Sequence, residues 1–413
     1  MSFDCIVLGA GMVGVSAALH LQKKGRSVVL VDRRPAAEET SFGNAGLIQT
    51  EGVVAYTFPR DIKLILQYAL NALPESRLHY SALPEVGPWL YQYWRYGSKE
   101  RAEQSARGLE PLINRCLAEH EALIAEAGAD GLVRRGGYLK VYRTEKLLEA
   151  GRAEQQDVLD RFGVPFTFVD RGKLSEMEPH LTGLAGALHI TGPATVTDPG
   201  ALGRAYADLF VRRGGVFRTA DARTLAPRDG GGWQVQSVEG PIAARDAVVA
   251  LGIWSRPVLQ ALEFKVPLVA KRGYHMHYGA KGNATLHHPV VDADTGYVLA
   301  PMRAGIRLTT GAEFARENAG PTPRQLDLVE PIARGIFPLA DRLDPKPWLG
   351  RRPCLPDLLP MIGPIPGRAG LWADFGHQHL GFTLGPVTGR LLAEMITGET
   401  TFTSPQPYRV DRF

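Results

Sequence analysis

The chain reads as an α/β protein of two lobes: a doubly wound lobe built on a parallel sheet, and an α+β lobe inserted into it, with a mixed β-sheet flanked by helices. Three observations predict this. The 413 residues, 45% of them hydrophobic, exceed one core, because single cores stop growing near roughly 250–300 residues. The N-terminus runs apolar strand, helix, apolar strand, and a long middle stretch is first helical and then strand-rich without that rhythm.

Cys5 to Leu8 is a short apolar run, Met12 to Lys24 has helical periodicity with Gly25 as its stop, and Ser27 to Val31 is a second apolar run. Strands covered by helices on both faces read as continuous apolar runs, so this is a βαβ opening. Ala247 to Leu251 repeats the signature. From Pro59 to Ala127 the pattern is mainly helical, with aromatic residues crowded between Pro88 and Tyr96. Helical patterns at Glu145 to Arg161 and Ala201 to Arg213 each lead into a β segment, and Asp198-Pro199 suits the cap and first turn of the latter. Asp229 to Gly232 is a turn between Arg223 to Pro227 and Trp233 to Val238, the mark of a β-meander. Strand character at Val266 to Tyr278, Gly296 to Pro301 and Ile306 to Thr310, then a helix at Thr322 to Phe337, completes the second lobe. The expected division is 1–55, 145–265 and 346–413 for the first lobe, and 56–144 and 266–345 for the second.

Gly9-Ala10-Gly11-Met12-Val13-Gly14 lies directly between the first strand and helix, where a GxGxxG pattern carries meaning. Gly9 allows the turn, Gly11 lets backbone approach a pyrophosphate, and Gly14 lets helix and strand pack closely. The helix start then offers unpaired N–H groups and partial positive charge to phosphates. Asp32 ends the second strand 18 residues after Gly14, in place to accept hydrogen bonds from a ribose, with Arg33 beside it. The first lobe is therefore Rossmann-like and binds a dinucleotide.

Net charge is only +4, from 47 Lys+Arg against 43 Asp+Glu, and the basic pairs are scattered without aromatic interleaving. No nucleic-acid partner is expected. Cys5, Cys116 and Cys354 form no CxxC pair, so neither a disulfide framework nor a metal cluster is indicated, and a reducing compartment fits. The chain opens into a strand at Phe3 to Leu8 with no charged leader, and no apolar run reaches the roughly 18 residues of a membrane span. A cytoplasmic protein, with a peripheral position at the inner membrane left open, is the expectation.

Thr40-Ser41-Phe42-Gly43-Asn44-Ala45-Gly46 is a small, polar, glycine-rich loop where a nicotinamide domain would place its next helix. It resembles the isoalloxazine-approach loop of the D-amino acid oxidase and dehydrogenase superfamily of flavoproteins. Trp348 to Asp357, running on to Pro360-Met361-Ile362-Gly363, resembles that superfamily's Arg-Pro motif. Phe375 to Thr383 is similar to its flavin-ring motif. Bacterial D-amino acid dehydrogenases share the order Asn44-Ala45-Gly46, Gly273-Tyr274 and Gly376-His377. The resemblance implies FAD, bound by the N-terminal fingerprint, by Ser41, Asn44, Ala45 and Gly46, by Ala222 and Gly252, and by Gly376, Leu380, Gly381, Phe382 and Thr383.

The resemblance further implies hydride transfer from the Cα of an amino acid to flavin N5, giving an imine that water hydrolyses to a keto acid. A substrate carboxylate calls for a guanidinium fork, and the motif places that role on Arg352. Neighbouring strand residues face opposite ways, so Arg351 is expected to be structural. Arg303 or Arg272 are second partners, Tyr274 and Tyr297 hydroxyl candidates, and His377 and His379 each divide between ring contact and packing. A helix over Leu384 to Ile396, with Pro386 near its first turn and Gly398 past its end, would point its positive end at the flavin. Relatives with covalent flavin use a cysteine near the Arg-Pro motif. Aligning on Pro356-Asp357 puts that position at Gly350 rather than Cys354, so dissociable FAD is expected.

Ile62, Ile65, Leu66, Ala69, Leu70 and Leu73 lie on one helical face. Core packing explains them, and so does a membrane-docking or quinone-access surface shared with Trp89, Tyr91, Trp94 and Tyr96. Three functional readings stay open: a dehydrogenase of a D-amino acid, including cyclic ones such as D-proline or a hydroxyproline, passing electrons to a quinone; an O2-using oxidase of glycine, sarcosine or another N-substituted glycine; and a flavin-binding subunit without catalysis.

Overall fold

The structure, a computed structural model, describes residues 2–53 and 56–413. The expected lobe boundary at residue 55 lies outside them. Strand β1 (Ser2–Leu8), helix α1 (Met12–Lys23) and strand β2 (Val28–Asp32) form the opening unit. β1 runs parallel to β2 on one side and to Gly240–Val249 on the other. Val216–Pro227 extends the sheet beyond β2, Leu371–Phe375 lies parallel to Gly240–Val249, and Met361–Pro364 closes the edge antiparallel. Val216–Pro227, Trp233–Ser237 and Gly240–Val249 form the expected meander.

The second sheet has eleven strands among the described residues. Its spine is Val269–Ala280, which pairs antiparallel with Gly305–Thr309 and with Trp348–Cys354. From Gly305–Thr309 it continues through Val298–Met302, Val290–Asp292 and Tyr138–Tyr142 to Gly186–Ile190 and Phe166–Asp170. The last two strands, and Trp348–Cys354, lie in stretches expected in the first lobe. An apolar run shows that a strand is buried but not which sheet it joins. Conversely, Lys99–Ala127 came from the stretch expected in the second lobe, yet its Leu109, Leu112, Ile113, Cys116 and Leu123 share a core with α1.

The C-terminal helix spans Gly381–Thr397, three residues earlier than its periodicity suggested, which moves Pro386 inside it. Proline lacks the N–H that would bond the carbonyl four residues back. That carbonyl, of Phe382, is taken instead by His120 Nε2 at 2.8 Å. This helix lies against α1 through glycines, since a Cβ on Gly385 would sit 2.9 Å from Met12 Cγ and one on Gly389 would sit 2.7 Å from Ala17 N. Close backbone approach therefore fixes the two helix starts side by side.

Helix Ile62–Ala69, capped by the Asp61 carboxylate on Leu64 N–H (2.8 Å), departs from the core-packing expectation: none of its residues is buried. Among the described residues no helix is long and apolar enough to cross a membrane.

Candidate active site

One cavity of about 1240 Å3 runs from the start of α1 to the second sheet, larger than the roughly 300–1,000 Å3 typical of small-ligand sites. At one end the glycine fingerprint behaves as its chemistry requires. Gly9 has φ +106°, and a Cβ there would meet Ala250 O at 2.6 Å; a Cβ on Gly14 would fall 1.8 Å from Gly9 O. A Cβ on Gly11 would meet Ser41 Oγ at 3.3 Å, a tight contact on the loop side of the turn. Ser41 Oγ accepts from the Met12 N–H (3.0 Å), which ties the polar loop to the helix start, and Asp32 accepts from the Ala10 N–H (2.8 Å).

Gly9, Gly11, Met12, Val13, Asp32, Arg33, Ser41, Asn44, Ala45, Ala222, Gly252, Gly381 and Phe382 all line this cavity, as His377 does. The starts of α1 and of Gly381–Thr397 thus open on one space. Gly14, Gly46, Gly376, Leu380 and Thr383 stand behind its wall. Thr383 Oγ1 accepts from Gln49 N–H and donates to Leu47 O, joining the helix start to the loop. Gly46, at φ +76°, packs so closely on Val196 O that a Cβ would be 2.2 Å away. Leu380 is core. Cys354 also lines the cavity, with burial pushing its thiol above its ordinary value.

A dinucleotide fits these residues: a glycine turn, two positive helix ends, a carboxylate at the end of β2 and a cavity long enough to reach the second sheet.

The second sheet supplies the opposite end. Arg352 bends over Gly273, where a Cβ would lie 2.7 Å from its Nη1 and would push the guanidinium aside. Nη1 and Nη2 donate to the carbonyls of Gly311 (2.8 Å) and Thr310 (3.2 Å), leaving other guanidinium donors free. Burial lowers the Arg352 pKa. Arg351 does not line the cavity, as strand alternation required. His379 stands nearby, and burial first, then the charges of Arg352 and Lys271, hold its pKa down to about 3. Its ring is neutral at physiological pH. His377, by contrast, is a packed residue whose Nε2 reaches Thr388 Oγ1 (3.0 Å) and Asp374 Oδ1 (3.3 Å).

Four expectations for this end need correction. Tyr297 is fully buried in the core of the second lobe and does not touch the cavity. Arg303 is exposed, in a separate shallow recess with Arg134, Ala201 and Ala205. Arg272 is committed elsewhere: its Nε pairs with Glu313 (2.8 Å), and its Nη groups donate to the carbonyls of Ala319 and Gly320. Tyr274 touches the cavity, but its hydroxyl donates to Glu313 Oε2 (2.8 Å) and accepts from Arg272 and from Thr322 N–H. For Arg272 and Tyr274 the cause is alternation along Val269–Ala280, which fixes a side chain's face but not which face meets the cavity, whereas Tyr297 and Arg303 flank Val298–Met302.

Several residues went unforeseen. Lys271, the strand partner of Arg352, lines the cavity with its Nζ 3.9 Å from the Tyr93 ring centroid. Lys140, Tyr138 and Gln49 line it too. Arg307 forms the hidden support of the polar loop. Its Nη1 donates to the carbonyls of Phe42 and Asn44, and its Nε donates to His277 Nε2 (3.0 Å). His277 must then carry its proton on Nδ1, which donates to Asp344 (2.9 Å). Burial lowers the Arg307 pKa to about 10. A charged residue in the middle of an apolar strand was the available signal.

The sequence matches the family described as FAD dependent oxidoreductase over residues 4–395. It is 27% identical over 415 residues to a D-amino-acid oxidase of Bradyrhizobium diazoefficiens, covering 98% of each chain. The fold resembles that of glycine oxidase from Geobacillus kaustophilus (TM-score 0.73, 22% identity, 100% of this chain and 99% of that one). It also resembles iminodiacetate oxidase from Chelativorans sp. BNC1 (TM-score 0.74, 22% identity, 98% and 99%). Fingerprint, cavity and whole-length match agree, and the chain belongs to the FAD-dependent oxidoreductase family.

Proposed function

We propose that the protein oxidises the carbon–nitrogen bond of an amino acid, a D-amino acid or a cyclic one such as D-proline, to an imine that hydrolyses to a keto acid. The observation that carries this reading is Arg352, anchored on two carbonyls with free donors, at the far end of the cavity that begins in the dinucleotide fingerprint. Bound FAD supplies the hydride acceptor. The chain's own residues hold and orient the substrate. Arg352 takes the carboxylate, and the positive end of Gly381–Thr397 favours negative charge in the cavity. His379, neutral and enclosed, is no proton acceptor near pH 7, so an amine that binds neutral needs no protein base.

FAD is taken to be dissociable, because Gly350 stands at the covalent position and a Cβ there would meet the Trp348 ring at 2.5 Å. Acid precipitation should leave the yellow colour in the supernatant. The electron acceptor divides two readings. Ile62, Leu66 and Leu70 are 74%, 56% and 72% exposed in one stripe, with Tyr91 and Trp94 also exposed, which favours peripheral membrane contact and a quinone. An oxidase of glycine-type N-substituted amino acids would instead use O2. Liposome flotation with slow peroxide formation supports the first, and rapid oxygen uptake without flotation the second.

Anaerobic bleaching against D-, L- and N-methyl amino acids tests the activity itself. Arg352→Leu should raise KM about a hundredfold while FAD stays bound, the ~3 kcal/mol of a charged hydrogen-bonded pair. An unchanged KM removes Arg352 from the carboxylate.

A further inference from the structure

Arg352 is not the only cation in its wall. Lys271 stands directly opposite it in the antiparallel register of Val269–Ala280 and Trp348–Cys354, and such partners share a face with Cβ atoms roughly 5 Å apart. Both line the cavity. Among the described residues, neither is within salt-bridge distance of a carboxylate. Glu75, an acid in the same wall, accepts instead from Tyr68 OH (3.2 Å). Both are half-buried, and two cations on one wall with no anion between them repel each other, an arrangement that a ligand carrying the missing charge relieves.

The two charged heads also part company. Arg352 reaches along its neighbour strand to lie over Gly273, two residues and therefore roughly 7 Å from the level of Lys271. The Lys271 ammonium turns the other way, onto the faces of Tyr93 (3.9 Å) and Trp89 (5.4 Å) in helix Leu83–Tyr96. Those rings hold it without offering it an oxygen. One carboxylate on Arg352 leaves the Lys271 ammonium, which lines the same cavity, to meet the remainder of the substrate with the donors its rings do not cover.

We propose that Lys271 makes a second anion subsite beside Arg352, so that the amino acids oxidised here carry two carboxylates, on an acidic side chain or an N-carboxymethyl group. This rests on the amino acid oxidation proposed above and names its substrate class. Lys140 does not share the subsite, because its strand, Tyr138–Tyr142, lies four strands from Val269–Ala280, about 19 Å at 4.8 Å per strand.

The test compares kcat/KM for aspartate and glutamate, in both configurations, with alanine, norvaline and lysine, on the wild type, Lys271→Met and Lys271→Arg. The wild type should favour the dicarboxylates. Lys271→Met should lower the dicarboxylate-to-neutral ratio about tenfold to a hundredfold, the worth of one charged hydrogen bond, and Lys271→Arg should keep most of it. A wild-type preference for neutral or lysine side chains, or a ratio that Lys271→Met does not move, overturns the proposal. Perturbation of the bound FAD spectrum by succinate against butyrate gives a readout that needs no turnover. If no amine bleaches the flavin but succinate binds more tightly in a Lys271-dependent way, the proposed activity falls and the subsite stands. If amines bleach it and succinate shows no such preference, the reverse holds.

Discussion

Around Gly9–Val13 and Gly381–Phe382 the cavity is walled by backbone: a glycine turn, two helix starts and a loop whose shape is held by hydrogen bonds to main-chain groups. Around Arg352 and Lys271 it is walled by side chains that arrive from helix Leu83–Tyr96 and from several strands of the second sheet. The difference teaches how each end tolerates change. A backbone wall fails when any atom is added to it, whereas a side-chain wall loses only the contact that its side chain made.

The strongest way to break that contrast is Gly14→Val. Its Cβ would fall 1.8 Å from Gly9 O, which no rotamer relieves, so α1 must move off β1 at the phosphate turn. We expect protein that purifies colourless, with FAD affinity reduced at least about a hundredfold, in line with the ~3 kcal/mol of severe overpacking. Titration of the apoprotein by flavin fluorescence quenching measures it. Wild-type affinity would mean that the turn does not grip the dinucleotide.

The same contrast explains what could be read in advance. The fingerprint, the polar loop and the start of the C-terminal helix are local in sequence because a backbone site is made by a few consecutive residues. Asp198 at the cap of helix Pro199–Arg212, accepting from Ala201 N–H at 2.8 Å, and the meander turn were legible for the same reason. Lys271 was not, because only the pairing of Val269–Ala280 with Trp348–Cys354 sets it opposite Arg352. Tyr297, nominated by resemblance, was misplaced because a motif names a residue type but not whether its side chain meets the cavity or the core. The sheet membership of Phe166–Asp170 was hidden for want of any residue that names a partner strand.

Acid should act on the seam between the two ends. His20, His120 and His275 are buried, and desolvation brings their pKa values down to about 3, 4 and 2. His120 holds the Phe382 carbonyl, and His275 stacks on Trp348 (4.7 Å) beside the polar loop. Folded values lie below the unfolded value of about 6.5, so the unfolded chain binds more protons between them. This stability is complete above pH 6.5 and is lost as pH falls toward the folded values, at about 1.4 kcal/mol per pH unit for each ring. Calorimetry should show Tm nearly flat from pH 8 to 7 and falling steeply below 6.5, with FAD released in the same transition. A flat Tm down to pH 5 would contradict neutral buried rings.

Arg307 sharpens the comparison because it is a side chain serving the backbone end. Arg307→Met removes the donors to Phe42 and Asn44 and leaves the paired His277 and Asp344 in place. FAD should bind about tenfold more weakly, the ~1.4 kcal/mol of a net hydrogen bond or two, while the amino acid KM stays within threefold. A change in KM with unaltered FAD affinity would move Arg307 to the substrate end.

The smallest effects are expected at Tyr297 and Arg303, two of the four nominated residues that geometry removed from the substrate end. Tyr297→Phe deletes a hydroxyl buried in the second lobe's core, away from the cavity, and Arg303→Ala trims an exposed side chain in a different recess. Neither change alters a wall atom, so kcat/KM should stay within about twofold, the ±0.5 kcal/mol of substitutions remote from any special feature. Steady-state kinetics on the preferred substrate decide it. A tenfold loss in either variant would show that the substrate end reaches further than the cavity's lining, and the side-chain wall would then have to be redrawn around whichever residue caused it.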